Sequence, residues 1–247
     1  MKQSQFTGLL FCAAMVFLLT SCGGDGSKEE TNTDTTTTES TTNAVTPEVN
    51  TIITTPQNMM TAMHKVSDFE KWKTSYDEHD SMRLAQGIHS FVIGRGVEDP
   101  NMVLVAVKVD DMAKAKAFAK DPSLKKAMQK GGVTGTPAFN FGTTTFQDTA
   151  VLSPDILRSR TTFTVKDWDA WKKSFEEGKQ ERLDNGIAVR SVGHDADDNK
   201  KVFLVTALMD TAKAHAYWKS DALKKRRAAG GVISEPKRFI FRVAHRY

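Results

Sequence analysis

The sequence predicts an α+β chain of two βαββαβ domains in tandem, and three observations carry that expectation. The chain matches itself, without a gap, at a spacing of 99 residues. Within each copy, runs of strand character and amphipathic runs of helical character alternate in the order β-α-β-β-α-β. The third strand of the first copy is apolar on both faces, so its sheet needs helices on one side and a second layer on the other.

The repeat does not start at once in this chain of 247 residues. Met1 and Lys2 give a short positive start, and the apolar run over 9–19 is too short to span a bilayer. Leu19-Thr20-Ser21-Cys22 then closes the segment with small residues before a cysteine, which resembles the lipobox of bacterial lipoproteins. The resemblance implies that residues 1–22 are a signal peptide. It also implies that Cys22 carries fatty acyl chains such as palmitate and anchors the protein to a lipid membrane. The remaining cysteine, Cys12, falls inside the removed segment. The mature chain then has no thiol for nucleophilic catalysis, a thiolate metal site or an iron–sulfur cluster.

Residues 23–58 are rich in Thr, Gly, Ser and Asn and lack apolar periodicity, so they read as a disordered tether. The tether carries Lys28 against Asp25, Glu29, Glu30, Asp34, Glu39 and Glu48, a net charge of −5. Lys28-Glu29-Glu30 resembles the export signals of some Gram-negative surface lipoproteins. The expected location is the outer membrane, on its periplasmic face or at the cell surface.

The repeat places the domains at 59–150 and 151–247. About 26 of roughly 72 ungapped positions are identical, which makes a tandem pair and not a solenoid. A strand at 61–66, or 161–165 in the second copy, leads to Asp68 or Asp167, an acidic N-cap before an amphipathic run. That helix reaches about residue 86 or 185 and stops at Gly87 or Gly186. A hairpin of 89–94 with 103–109 follows, across a turn holding Gly96, Asp99, Pro100 and Asn101; its counterpart joins 189–193 to 202–208. Asp111 and Asp210 cap a second helix, broken near Asp121-Pro122 in the first copy and ended by Gly131-Gly132 or Gly230-Gly231. The last strand follows Pro137 or Pro236.

This is the split βαβ order of ferredoxin-like domains. On the third strand Val103, Val105, Val107 and Val109 alternate with Leu104 and Ala106, and the simplest cover for the second apolar face is the sheet of the other copy. A linker of about 15 residues holds that copy at an effective concentration on the order of millimolar. A monomeric chain with an internal pseudo-dimer is expected. The run from Asp68-Phe69 and Trp72-Lys73, through Arg83-Leu84, Gly87-Ile88 and Ala113-Lys114-Ala115, to Leu124-Lys125-Lys126 and Gly131-Gly132-Val133 resembles a known family. It is similar to the antibiotic-biosynthesis-monooxygenase-like branch of the dimeric α+β barrel superfamily, over 59–142 and 160–243. The resemblance implies two ferredoxin-like domains paired as an intramolecular dimeric α+β barrel. The superfamily includes cofactor-independent monooxygenases, haem-degrading enzymes, lactone isomerases and ligand-binding modules, so the fold does not choose an activity.

Candidate site residues lie on one stripe of the first helix. Phe69, Trp72, Tyr76, His79 and Arg83 fall on one face, matched by Trp168, Trp171, Phe175, Gly178 and Arg182. The stripe is aromatic first and then turns polar while still facing inward, which suits a cavity wall. In superfamily members the small-molecule site lies between helices and sheet. Arg83 and Arg182 also fit a structural role, as cations that cap carbonyls near a helix end. His79 faces Gly178 in the other copy, so the fold does not require it. His64 (Phe163 in the second copy) and His89 (Ala188) are further candidates for the same pocket, each equally readable as a packed histidine. No short metal-ligand spacing joins these histidines, and the residues ask for no metal or cofactor. His194, His215 and His245 read as loop, helix-surface and tail residues.

The second copy carries 20 basic and 13 acidic side chains, the first 12 and 11. Its Lys224-Lys225-Arg226-Arg227 run lacks interleaved aromatics, so it reads as a solvated basic face and not as a nucleic-acid surface. The expectation from sequence is a binding module for a small, partly apolar molecule. Two alternatives stay open: a cofactor-independent or haem-linked oxygenase with His79 as base or iron ligand, and a structural protein with filled cavities.

Overall fold

The computed structural model describes residues 50–247. The signal segment, Cys22, Lys28-Glu29-Glu30 and most of the tether lie outside the described residues. Strand pairing starts earlier than a tether reaching residue 58 would allow. A two-residue strand, β1 (Ile52–Ile53), pairs with residues 147–148, and β2 (Gln57–Val66) begins soon after.

From β2 the first copy continues through α1 (Phe69–Glu78), α2 (Asp80–Leu84), β3 (Ile88–Gly96), β4 (Met102–Val109), α3 (Met112–Phe118), α4 (Pro122–Lys130) and β5 (Val133–Asp148). The second repeats the order as β6 (Leu157–Thr164), α5 (Trp168–Glu177), α6 (Lys179–Asp184), β7 (Ile187–Asp195), β8 (Lys201–Leu208), α7 (Thr211–Lys219), α8 (Asp221–Ala229) and β9 (Lys237–Arg246). The caps sit where acidic residues precede the apolar runs. Asp68, Asp111, Asp167 and Asp210 each accept a hydrogen bond from a backbone N–H of the first helical turn. Gly87 and Gly186 end α2 and α6 at φ 66° and 68°, where a Cβ would be strained and would also strike Asp110 or Asp210.

Two helices differ from the continuous forms expected. The first helix of each copy breaks at His79 or Gly178, which leave helical geometry at φ −96° and −84°. Arg83 and Arg182 reach back across the break and donate to the carbonyls of Tyr76 and Phe175. The last strand of the first copy also starts before Pro137. Pro137 lies in a register shift between Thr134 and Ala138, where the ladder does not need its missing N–H. In the second copy only a bridge between Val165 and Val232 stands at that point, and β9 follows Pro236 as expected.

The strand order is β1-β5-β2-β4-β3-β9-β6-β8-β7, and β7 pairs back to β5. The sheet therefore closes on itself, with β1 extending one rim. Two seams join the copies: β3 runs against β9 from Val92–Arg246 to Gly96–Phe241, and β5 against β7 from Gly142–Asp195 to Gln147–Ser191. The copies meet edge to edge by hydrogen bonds, which leaves none of the eight barrel strands with a free edge and merges both repeats into one unit. The two apolar faces now have their explanation. Val103, Val105, Val107 and Val109 pack outward under Phe69, Trp72 and Phe118, while Leu104, Ala106, Phe203, Val205 and Phe241 line the barrel interior.

Candidate functional site

Each copy encloses a small cavity between its helices and the outer face of the sheet. The first, of about 80 Å³, is lined among others by His64, Trp72, Tyr76, His79 and Arg83. The second, of about 90 Å³, has Phe163, Trp171, Phe175, Arg182 and Tyr217 in its wall. Four of the six histidine, tyrosine and arginine candidates from the sequence thus share one pocket, and Arg182 occupies the matching place in the other.

The aromatic framework is the same in both. The His64 and Trp72 rings lie 5.4 Å apart, as do those of Phe163 and Trp171. Arg83 stacks 3.6 Å above the Tyr76 ring, and Arg182 stacks 3.6 Å above Phe175. Both guanidinium groups are almost fully buried, at 6% and 7% exposed, and each braces its helix break. The structural role of these arginines is visible, since both copies keep it.

The polar groups differ. Tyr76 Oη lies 2.8 Å from Ser90 Oγ, and Arg83 donates to Asp80 at 2.9 Å. The second copy has Phe175, Val189 and Lys179 at these three places. The Nδ1 of His79 is 2.6 Å from the Ser75 carbonyl, to which it donates, and Nε2 makes no hydrogen bond among the described residues. Burial pushes the Tyr76 phenol up from its ordinary value and keeps it a neutral donor.

His64 is the most unusual group. It is 4% exposed, and neither ring nitrogen has a hydrogen-bond partner among the described residues. Burial lowers its pKa to about 4, so the imidazole is neutral at pH 7. His89 does not join it: that side chain is exposed and pairs with Asp110 at 3.0 Å. His194, expected in a loop, lies on β7 with its ring against Trp168 at 4.7 Å. Among the described residues no group of three or more His, Cys, Asp or Glu could hold a metal ion. The cavity beside His79 is far below the roughly 300 Å³ at which small-molecule pockets begin, so a haem would not fit it without displacing its lining side chains.

Sequence reasoning missed the inside of the barrel. A cleft of about 480 Å³ opens at one end, among Thr61, Asn140, Arg160, Asp195 and Lys201. Deeper in, a chamber of about 100 Å³ is lined by Arg158, Arg160, Arg190 and Arg246. The signal was present: in Leu157-Arg158-Ser159-Arg160-Thr161-Thr162 the alternate positions that face inward begin with two arginines.

No protein-family model and no curated protein matches this chain. Solved structures do. A protein provisionally called a monooxygenase, from Fusobacterium nucleatum subsp. nucleatum, superposes with a TM-score of 0.51 at 13% identity, over 77% of this chain and 93% of its own. An anthrone oxidase-like protein superposes with a TM-score of 0.52 at 14% identity, over 78% and 94%. At such identities the likeness is one of fold. The chain has the dimeric α+β barrel fold, with both ferredoxin-like halves supplied by one polypeptide.

Proposed function

We propose that this protein is an exported, lipid-anchored binding module that holds a small, partly apolar molecule in the helix–sheet pocket of its first copy. The carrying observation is the buried imidazole of His64. A buried polar group without a partner costs roughly 1–3 kcal/mol, and the second copy avoids that cost with Phe163. Retention of His64 beside Trp72, Tyr76 and His79 supports a pocket that presents hydrogen-bonding atoms to a ligand against an aromatic wall. The cavity as it stands admits a small group, so a larger ligand would enter by displacing the flexible side chains of Met82 and Met128, which also line it.

A conjugate acid near pKa 4 makes His64 a weak base at neutral pH, which favours binding over proton abstraction by that residue. The free Nε2 of His79 is the observation that favours a second reading, cofactor-independent oxygenation of an acidic, aromatic substrate with His79 as base. The anchor rests on the lipobox resemblance at Cys22. Cys22→Ala is expected to release the protein from the membrane fraction, and acyl labelling that persists in that variant would refute the assignment.

Native mass spectrometry of the purified full chain tests the binding reading. A small organic molecule is expected to travel with the protein and to be lost in His64→Phe, while Phe163→His leaves it in place. Retention of the molecule by His64→Phe would overturn the assignment to the first pocket.

A further inference from the structure

The inner chamber has a charge balance that the fold does not need. Arg158, Arg160, Arg190 and Arg246 line it, with Asp148 as the acid among them. Arg190 is already engaged. It pairs with Asp148 and donates to the carbonyl of Ala150. Arg158, 3% exposed, donates to the carbonyls of Ile156 and Leu157, which carry no net charge. Among the described residues Arg160 makes no side-chain hydrogen bond, and no carboxylate offsets its burial. Two polar groups beside them are also left over: the Thr61 hydroxyl, 8% exposed, and the Gln147 carbonyl oxygen, 5% exposed, lack partners among the described residues.

Desolvation disfavours the charged form of Arg158, Arg160 and Arg190, and repulsion from neighbouring cations adds to it at Arg158 and Arg190. Burial first, and then Arg190 and Arg246, bring Arg158 down to about 10; burial alone brings Arg160 to about 10. Both remain cations at neutral pH. Four guanidinium groups around one carboxylate leave three positive charges uncompensated, which a bound oxyanion would offset in part. The first copy shows that the barrel closes without such a cluster, since Met59, Thr61 and Phe91 stand where the second has Arg158, Arg160 and Arg190. The chamber is also reachable. Arg160, Thr61, Met59 and Phe203 line both the chamber and the 480 Å³ cleft at the barrel mouth.

We infer that the barrel interior is a second binding site, separate from the helix–sheet pockets. It takes a small organic oxyanion, a carboxylate or phosphate ester, with its charged head between Arg158 and Arg160 and its apolar part toward Phe203 and the mouth. Guanidinium forks suit planar and tetrahedral oxyanions, and the Thr61 hydroxyl adds a neutral donor. The pseudo-symmetry makes the test direct, because the first copy's own residues can be grafted in.

Thermal unfolding of the purified full chain would be followed in chloride, inorganic phosphate and benzoate at matched ionic strength. The wild type is expected to gain thermal stability in phosphate or benzoate over chloride, rising with anion concentration as mass action requires. Arg158→Met with Arg160→Thr is expected to unfold at a higher temperature than wild type in chloride, because a repulsion has gone, and to show no oxyanion-dependent gain. Arg227→Gln, in the second helix–sheet pocket, is expected to keep the gain in full. The inference is overturned if phosphate and benzoate act no differently from chloride. It is equally overturned if the double variant keeps the gain, or if Arg227→Gln abolishes it. Calorimetric titration of the wild type with benzoate provides the second measurement, and an absence of saturable heat counts against the site even where stability shifts.

Discussion

The first and second copies share a backbone and differ in where they put polar groups. Both keep the acidic caps, the helix break braced by an arginine, the left-handed glycines and the buried tryptophans Trp72 and Trp171. In the first copy the helix–sheet pocket is lined by His64, Tyr76 and His79, with Ser90 hydrogen-bonded to Tyr76 and Asp80 to Arg83. The second has Phe163, Phe175, Gly178, Lys179 and Val189 at these positions, keeps Tyr217, Arg226, Arg227 and Arg238 in its own pocket wall, and also sends Arg158, Arg160 and Arg190 into the barrel. Positions held in common are those the fold uses to cap, turn and pack. Among those that differ are positions on the walls of the cavities, such as His64 with Phe163 and Met59 with Arg158. Duplication within one chain lets each copy leave part of the work to the other, so this internal comparison separates scaffold from site.

The largest expected effect comes from undoing the pairing. Either copy expressed alone would expose both seam strands, β3 and β5 or β7 and β9, together with its barrel face, which carries Leu104 and Ala106 in the first copy and Phe203, Val205 and Phe241 beside the arginines in the second. Residues 50–150 and 151–247 made separately are expected to self-associate or precipitate, and to recover a closed barrel when mixed. Sedimentation of either half as a stable folded monomer would show that the seams are not needed.

Next come the tryptophans. Trp72 and Trp171 are 3% and 4% exposed at equivalent places, and truncation of a large buried aromatic costs about 3–5 kcal/mol. Trp72→Ala and Trp171→Ala are each expected to lower stability by that amount through a single unfolding transition, because the barrel joins the copies into one sheet. Two separate transitions in either variant, by denaturant titration, would mean that the copies unfold independently.

Much of this was legible in the sequence, for a physical reason. A repeated pattern at a constant spacing exposes scaffold residues twice, so Asp68 with Asp167, Gly87 with Gly186 and Trp72 with Trp171 declare themselves. The pocket wall was legible through helical periodicity, which put Trp72, Tyr76, His79 and Arg83 on one face. Closure was less so, since strand pairing between copies depends on which edges meet and not on any local pattern. The helix break was hidden as well, because neither His79 nor Gly178 forbids a helix over one turn. The arginine chamber went unread because its members come from β6, β7 and β9, and only the closed barrel brings them together.

The imidazole difference between the copies should appear in the pH dependence. His64 falls from the ordinary 6.5 to about 4 in the folded protein, through burial. Between those values the unfolded chain binds a proton that the folded chain does not. Stability therefore falls as the pH drops from about 6.5 towards 4, by roughly 3 kcal/mol in all for that one group. His64→Phe copies the second pocket. It is expected to be at least as stable as wild type at pH 7 and to lose less stability on acidification, with the carboxylate titrations common to both cancelling in the difference. Parallel stability curves for the two proteins between pH 4 and 6.5 would mean that His64 finds a partner in the folded state.

The smallest effect concerns the seams, where the two copies solve one packing problem differently. At the β3–β9 seam a Cβ on Gly94 would come within 2.3 Å of the Phe241 ring, a side chain that can give way. The pseudo-equivalent of Phe241 at the β5–β7 seam is Gly142, and Phe203 from β8 fills the space instead. There a Cβ on Gly193 would meet the Phe203 ring at 2.3 Å and also the backbone carbonyl of Thr143 at 2.3 Å. A ring can rotate aside, whereas a ladder carbonyl moves only with its strand. Overpacking typically costs about 1–3 kcal/mol, so Gly94→Ala is expected near the low end of that range and Gly193→Ala near the high end. The double variant Gly193→Ala with Phe203→Leu, which restores the first copy's Leu104 at that site, should recover little of the loss if the carbonyl dominates. Full recovery in a chemical denaturation series would instead assign the clash to the ring, and would make the two seams equivalent.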